Sequence, residues 1–239
     1  TLVWVCLQGA FGALTVTMKL FPAIVTLHLL GGLGLLALLR AQSVGYALAA
    51  PGSPGPLALP GRLRGVLVGV FGLLWVQLAL GGWVSTNYAV LVCSDFPTCQ
   101  GSWWPTMDFR EGFTLWRELG QNRAGDALAF PALTAIHYAH RLMAYGVLAA
   151  LLWLAWRLWA VPGMRAVARG LLLLAAWQFA SGLINVVLEW PLLAAVGHTG
   201  GAAALVVLLT GAVQGTRRAT QRDVRSASAS PLHFSPPIR

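Results

Sequence analysis

Six long apolar runs constrain this chain more than any other feature: Leu2–Leu20, Pro22–Arg40, Gly65–Ala89, Pro131–Trp159, Gly170–Glu189 and Pro191–Gly215. Each approaches the roughly 20 residues that cross a bilayer as a helix. In lipid the backbone must satisfy its hydrogen bonds within the segment, which leaves helices as the fitting element. The predicted fold is therefore all-α and integral to a membrane, with six transmembrane helices. Only 10% of the 239 residues are charged and 57% are hydrophobic, against about one-quarter charged in a soluble domain.

Net charge is +9, but its placement argues for topology rather than for a nucleic-acid partner. Arg40, Arg62 and Arg64 follow the second run. Arg157, Arg165 and Arg169 lie between the fourth and fifth, and Arg217, Arg218, Arg222 and Arg225 follow the sixth. These stretches fall on one side, which the positive-inside rule makes cytoplasmic. The opposite side carries Asp95, Asp108, Glu111, Glu118, Asp126 and Glu189, six of the seven acids.

Residues 41–64, with Pro51, Pro54, Pro56 and Pro60 among Gly and Ser, read as a flexible cytoplasmic linker. It divides a hairpin over 1–40 from a four-helix unit over 65–215, and a tail over 216–239 follows. The loop 90–130 on the outer side holds Cys93 and Cys99, which an oxidising compartment permits to pair; two free thiols are the alternative. Cys6, inside an apolar run, reads as a small core residue. Phe96, Trp103, Trp104, Phe109, Phe113 and Trp116 crowd the same loop, as an interfacial belt or as a lid, with a short helix expected over Phe109–Leu119.

One pattern occurs twice. Gln8-x3-Gly12 precedes His28 and Gly31 as Gln178-x3-Gly182 precedes His198 and Gly201, with 20 residues from Gln to His in both. A third Gln-x3-Gly, at Gln77 and Gly81, is a match that Gly-rich sequence can produce by chance. The first hairpin thus corresponds to the second half of the four-helix unit. The expected whole has eight helices in two similar four-helix halves, two of them upstream of Thr1.

Four histidines lie in apolar runs, where an unpartnered ring is costly. His28, His140 and His198 sit six, nine and seven residues in from Pro22, Pro131 and Pro191, roughly 9–14 Å below the outer helix ends at about 1.5 Å per residue. His140 and His198 can face each other across a bundle, as two axial ligands of a heme iron. Ala139, Ala144, Gly197, Gly200 and Gly201 leave room for a flat macrocycle. Zinc lacks a cysteine or carboxylate in that layer. His137, on nearly the same face as His140, competes with it and is read as a hydrogen-bonding neighbour. Arg141 suits a heme propionate or an ion pair with an acid such as Asp126. His28 has no matching partner, and His233 in the tail has no evident role.

The pair His140-Arg141, the loop Cys93-Ser-Asp-Phe-Pro-x-Cys99-x-Gly, the passage from Gly12-x2-Thr15-Val16 to Pro22-x5-His28-Leu-x2-Gly31, and Gly197-His198 together resemble heme A synthase, the membrane cytochrome oxidase assembly family. The resemblance runs from Leu2 to about Arg218. It implies eight helices in two halves and an oxidoreductase that converts heme O to heme A, with successive hydroxylation of a ring methyl ending in a formyl group. It also implies that His140 and His198 hold heme b, that His28 is one ligand in the half where heme O reacts, and that Cys93 and Cys99 are a disulfide.

The family's Glu-x2-His motif does not occur in this chain, so the chain alone should be inactive. The expected location is a bacterial plasma membrane, with heme O synthase and an electron acceptor as possible partners. A di-heme b-type electron carrier and a heme transporter or assembly chaperone are the rivals.

Overall fold

The computed structural model describes residues 1–220 and Asp223; His233, Arg222 and Arg225 lie outside the described residues. Seven helices follow in order: α1 (Leu2–Thr17), α2 (Pro22–Ala49), α3 (Gly61–Thr86), the short α4 (Phe109–Gly112), α5 (Phe130–Trp159), α6 (Arg165–Val187) and α7 (Leu192–Gln214). Five of them, α2, α3, α5, α6 and α7, are long and apolar enough to cross a membrane. The chain is a multi-pass membrane protein. The first of the six expected spans is shorter than its sequence implied. α1 has 16 residues, about 24 Å at 1.5 Å per residue, because the backbone turns over at Met18.

That turn has an unusual chemistry, and the chain uses it twice. Lys19 and Leu20 take φ of 50° and 60°, Glu189 and Trp190 take 56° and 63°, and each pair stands just before a proline that opens the next helix. Left-handed backbone costs a non-glycine residue roughly 1–2 kcal/mol, so the geometry needs compensation. It is found in matching hydrogen bonds: Leu20 N–H donates to Thr15 O at 2.8 Å, and Trp190 N–H to Asn185 O at 2.9 Å. The repeat seen in sequence therefore extends to backbone detail.

α3, α5, α6 and α7 form a bundle, α2 packs along α3 and α7, and α1 packs on α2. Away from the 90–130 loop the interior is solid. Leu67, Leu74, Leu151, Leu154, Leu158, Leu171, Leu205 and Leu209 interlock there with Ala168 and Ala175. Their spacing, as in Leu67–Leu74–Leu78 and Leu151–Leu154–Leu158, keeps one stripe of each helix inward. At the loop end a smaller cluster of Trp83, Val84, Ala89, Val92 and Ile136 closes the bundle. The histidine layer lies between these two.

The segment read as a flexible linker is largely ordered structure. α2 continues through residues 41–49, since the alanines, Gln42 and Leu48 there favour helix and the first proline comes only at Pro51. Leu57–Leu59 then forms a strand, β1, parallel to β2 at Thr216–Arg218. Leu59 is fully buried. Arg64 donates from Nε to Thr216 O at 3.2 Å and from Nη2 to Val213 O at 3.3 Å, capping the carbonyl end of α7 with positive charge. The polypeptide joining the first hairpin to the bundle is thus fastened to the end of the last helix.

In lipid, truncating a buried leucine loses packing more than hydrophobic transfer. Leu154→Ala, at a position with 0% exposure, should still cost about 2–3 kcal/mol through the cavity it leaves, read from reversible unfolding in mixed detergent micelles.

Candidate functional site

Three of the four histidines in the apolar runs, His28, His140 and His198, sit in the same kind of seat. Gln8 Nε2 donates to His28 O at 3.0 Å, Gln77 Nε2 to His140 O at 3.2 Å, and Gln178 Nε2 to His198 O at 3.1 Å. Four residues after each glutamine a glycine faces the ring. A Cβ there would lie 3.2 Å from His28 Cε1 at Gly12, 3.0 Å from His140 Cε1 at Gly81 and 3.3 Å from His198 Cε1 at Gly182. The amide fixes the backbone height of the histidine, and the notch admits the Cε1 edge of the imidazole against the neighbouring helix. The third Gln-x3-Gly, which spacing alone could not separate from chance, serves His140 across the long loop.

The glycines three residues after two of the histidines complete the seat. At Gly31 a Cβ would come within 2.6 Å of Gln8 Nε2, and at Gly201 within 3.2 Å of Gln178 Nε2. Any side chain there would push the amide off the carbonyl.

The ring nitrogens differ from seat to seat. His198 Nδ1 lies 2.9 Å from Ser181 Oγ, and its Nε2 has no hydrogen-bond partner among the described residues. His140 Nδ1 lies 3.0 Å from Gln77 Nε2. His28 Nδ1 is buried with no partner, as are the side-chain oxygens of Gln77 and Gln178. His140 and His198 are both part-buried.

His137 is settled differently. Its Nδ1 is 2.8 Å from Ala89 O, which can only accept, so Nδ1 carries the proton and Nε2 receives Arg141 Nη2 at 3.4 Å. Both nitrogens are committed to other residues, whereas those of His140 face only the Gln77 amide, at 3.0 Å from Nδ1 and 3.4 Å from Nε2.

Arg141 is spent on the loop. Its Nη1 donates to Asp95 O at 3.0 Å and Thr98 O at 2.6 Å, and its Nη2 to Cys93 O at 3.1 Å. No contact to Asp126 forms, and a propionate would have to displace bonds already made. Cys93 and Cys99 form a disulfide, fully buried with Tyr138 against it. Asp95 organises the same turn by accepting from Thr98 Oγ1 at 2.5 Å, Gln100 N at 2.7 Å and Gly101 N at 3.0 Å. These donors, the Thr98 hydroxyl foremost, hold its carboxyl down at about 2.

The lid helix expected over Phe109–Leu119 shortens to Phe109–Gly112, where Asp108 caps the start and Gly112 presses against the Ala132 carbonyl. Most of the loop's rings face outward: Trp103, Trp104 and Trp116 are 69%, 67% and 64% exposed, as an interfacial belt requires. Arg117 turns inward instead, donating to Asn87 Oδ1 at 2.5 Å over the Trp83 ring, and burial lowers its affinity for the proton. Cys6, expected in the core, is exposed on α1.

Among the described residues no three His, Cys, Asp or Glu side chains come together. What the bundle offers is two imidazoles seated alike, His140 on α5 and His198 on α7, the second with Nε2 free of a hydrogen bond among the described residues. Imidazole nitrogen is the donor chemistry that suits a heme iron.

Fold and site together define a multi-pass helical membrane protein with seated interior histidines. Residues 1–210 match the model of the cytochrome oxidase assembly protein family, and the chain belongs to that family. It is 37% identical over 209 residues to the heme A synthase of Shewanella oneidensis, covering 84% of this chain and 61% of that one. With the heme A synthase of Sphingopyxis alaskensis identity is 34% over 189 residues, 78% of this chain and 48% of the relative. With that of Methylobacterium nodulans it is 34% over 200 residues, 80% and 52%. The chain spans about half to three-fifths of the length of these relatives.

Gly81→Ala should displace the His140 ring and cost about 1–3 kcal/mol. Gly146→Ala, on the same bundle with nothing within 4 Å of the new Cβ, should leave thermal unfolding unchanged or slightly raised. The acid response of the loop follows from Asp95. A carboxyl depressed from 3.8 to about 2 contributes stability that is complete above the higher value and drains away as pH falls towards the lower. Protection of the Gln100 and Gly101 amides, taken relative to their intrinsic exchange rates, should therefore fall between about pH 4 and 2, and Asp95→Asn should flatten that fall.

Proposed function

We propose that this chain carries the heme-binding part of a heme A synthase, an oxidoreductase that converts the methyl group of heme O to the formyl group of heme A. The repeated histidine seat carries this reading, because it holds imidazole donors in matched surroundings on three helices. The relatives named as heme A synthases support the activity. His140 and His198 would hold a heme b iron, which when bound supplies one-electron redox chemistry. His28 would offer one ligand to the reacting heme.

The chain's own residues do the positioning. Gln77 and Gln178 set the height of the two ligands, Gly81 and Gly182 set their ring planes, and the leucine core below keeps water from the cytoplasmic side out. Arg141 locks the disulfide loop over the same layer. The basic stretches support a cytoplasmic position for the linker and tail in a bacterial plasma membrane, with the disulfide loop on the oxidising side.

Reconstituted with heme b, the purified chain should show the absorption spectrum of a low-spin bis-histidine heme, and His198→Ala should abolish it. An unchanged spectrum in that variant overturns the ligand pairing. Activity is tested on a chimera joining this chain to the segment of the Shewanella oneidensis protein that lies outside the match. Supplied with heme O, it should accumulate heme A in pyridine hemochrome spectra. Bound heme b with heme O left unconverted would instead make the protein a carrier.

A further inference from the structure

The three seats share a glutamine and a glycine, but the residue between them, three after the glutamine, is Phe11 in the first, Leu80 in the second and Ser181 in the third. Only the third is polar. The Ser181 hydroxyl donates to Trp177 O at 2.7 Å, four residues back along α6. It also lies 2.9 Å from His198 Nδ1.

A serine hydroxyl has a single proton and two lone pairs. The Trp177 carbonyl has no proton to give, so the hydroxyl proton is committed to it. A proton pointed at His198 instead would leave two oxygens 2.7 Å apart with nothing between them. Ser181 Oγ is therefore the acceptor towards His198, and His198 carries its proton on Nδ1. Its Nε2 is then a bare lone pair.

We infer that Ser181 is a positioning residue that fixes the metal-binding tautomer of His198 and strengthens it as an electron donor. The inference rests on the heme-ligand reading of His198. An acceptor on the Nδ1 proton raises the basicity of the ligating nitrogen, which favours ferric iron and lowers the reduction potential. The first hairpin lacks this device. Phe11 stands where Ser181 would, and His28 Nδ1 is buried without a partner. Two seats built alike in their backbone are thus made electronically unequal by one side chain.

The test combines a spectroelectrochemical titration of bound heme b with 15N NMR of histidine in the heme-free protein. Ser181→Ala should shift the midpoint potential positive and widen the low-spin EPR g-spread. Ser181→Thr, which keeps the hydroxyl, should restore both. If the wild-type protein takes up heme b through His198 and Ser181→Ala leaves the potential unmoved or moves it negative, this inference fails while the ligand reading stands. If the wild type binds no heme, both fail. The NMR measurement needs neither heme nor a Ser181 variant: an Nδ1-protonated His198, assigned by its loss in His198→Gln, supports the inference, and an Nε2-protonated one overturns it.

Discussion

The structure depends on how an imidazole can be held in an apolar interior without a charged partner. A helix has already spent its backbone donors on itself, but each carbonyl keeps a second lone pair, and it is this that the glutamines use. Gln8, Gln77 and Gln178 reach across to the histidine's own carbonyl, tying two helices at the residue whose position matters. Close approach is the condition for the bond, so glycine is required on the facing helix. The polar function and the tight packing are one arrangement, which explains why they recur together.

Above this layer the loop end is organised by buried polarity of another kind. Arg141 converges three backbone carbonyls of the disulfide loop onto one helix residue, and Gln100 adds a bond to Thr134 Oγ1 at 2.9 Å. The loop has almost no regular structure of its own, so its carbonyls need donors from outside it. A guanidinium beside His140 supplies them. Whatever order the loop has is transmitted directly to the helix that presents His140.

Much of this was legible in the sequence. Apolar run length located the helices, and the paired Gln-to-His spacing located His28 and His198. The Gln77 seat was obscured because its histidine lies beyond a long loop rather than a tight turn, which removes the spacing signal. A sharper motif was present: Ala10, Ala79 and Ala180 each follow the glutamine by two, making all three Gln-x-Ala-x-Gly. Arg141 misled for a physical reason. Its neighbour in sequence suggested a ligand, whereas its contacts are backbone oxygens that no residue pattern records. The linker misled because its prolines mark only residues 51–60, and strand pairing between Leu57–Leu59 and Thr216–Arg218 is a long-range fact.

That pairing restricts where the chain can change length. Residues 50–56, with Gly52 and Gly55 at φ of 79° and 73°, form the slack between a helix end and a strand. Closing a longer loop there adds little entropy cost. One residue added within 57–59 would instead rotate Leu59 out of its buried site and unseat Arg64 from the end of α7. The seam between the repeated hairpin and the bundle is therefore a clasp with a short free tether, not an elbow, and the two can vary independently in sequence only across that tether.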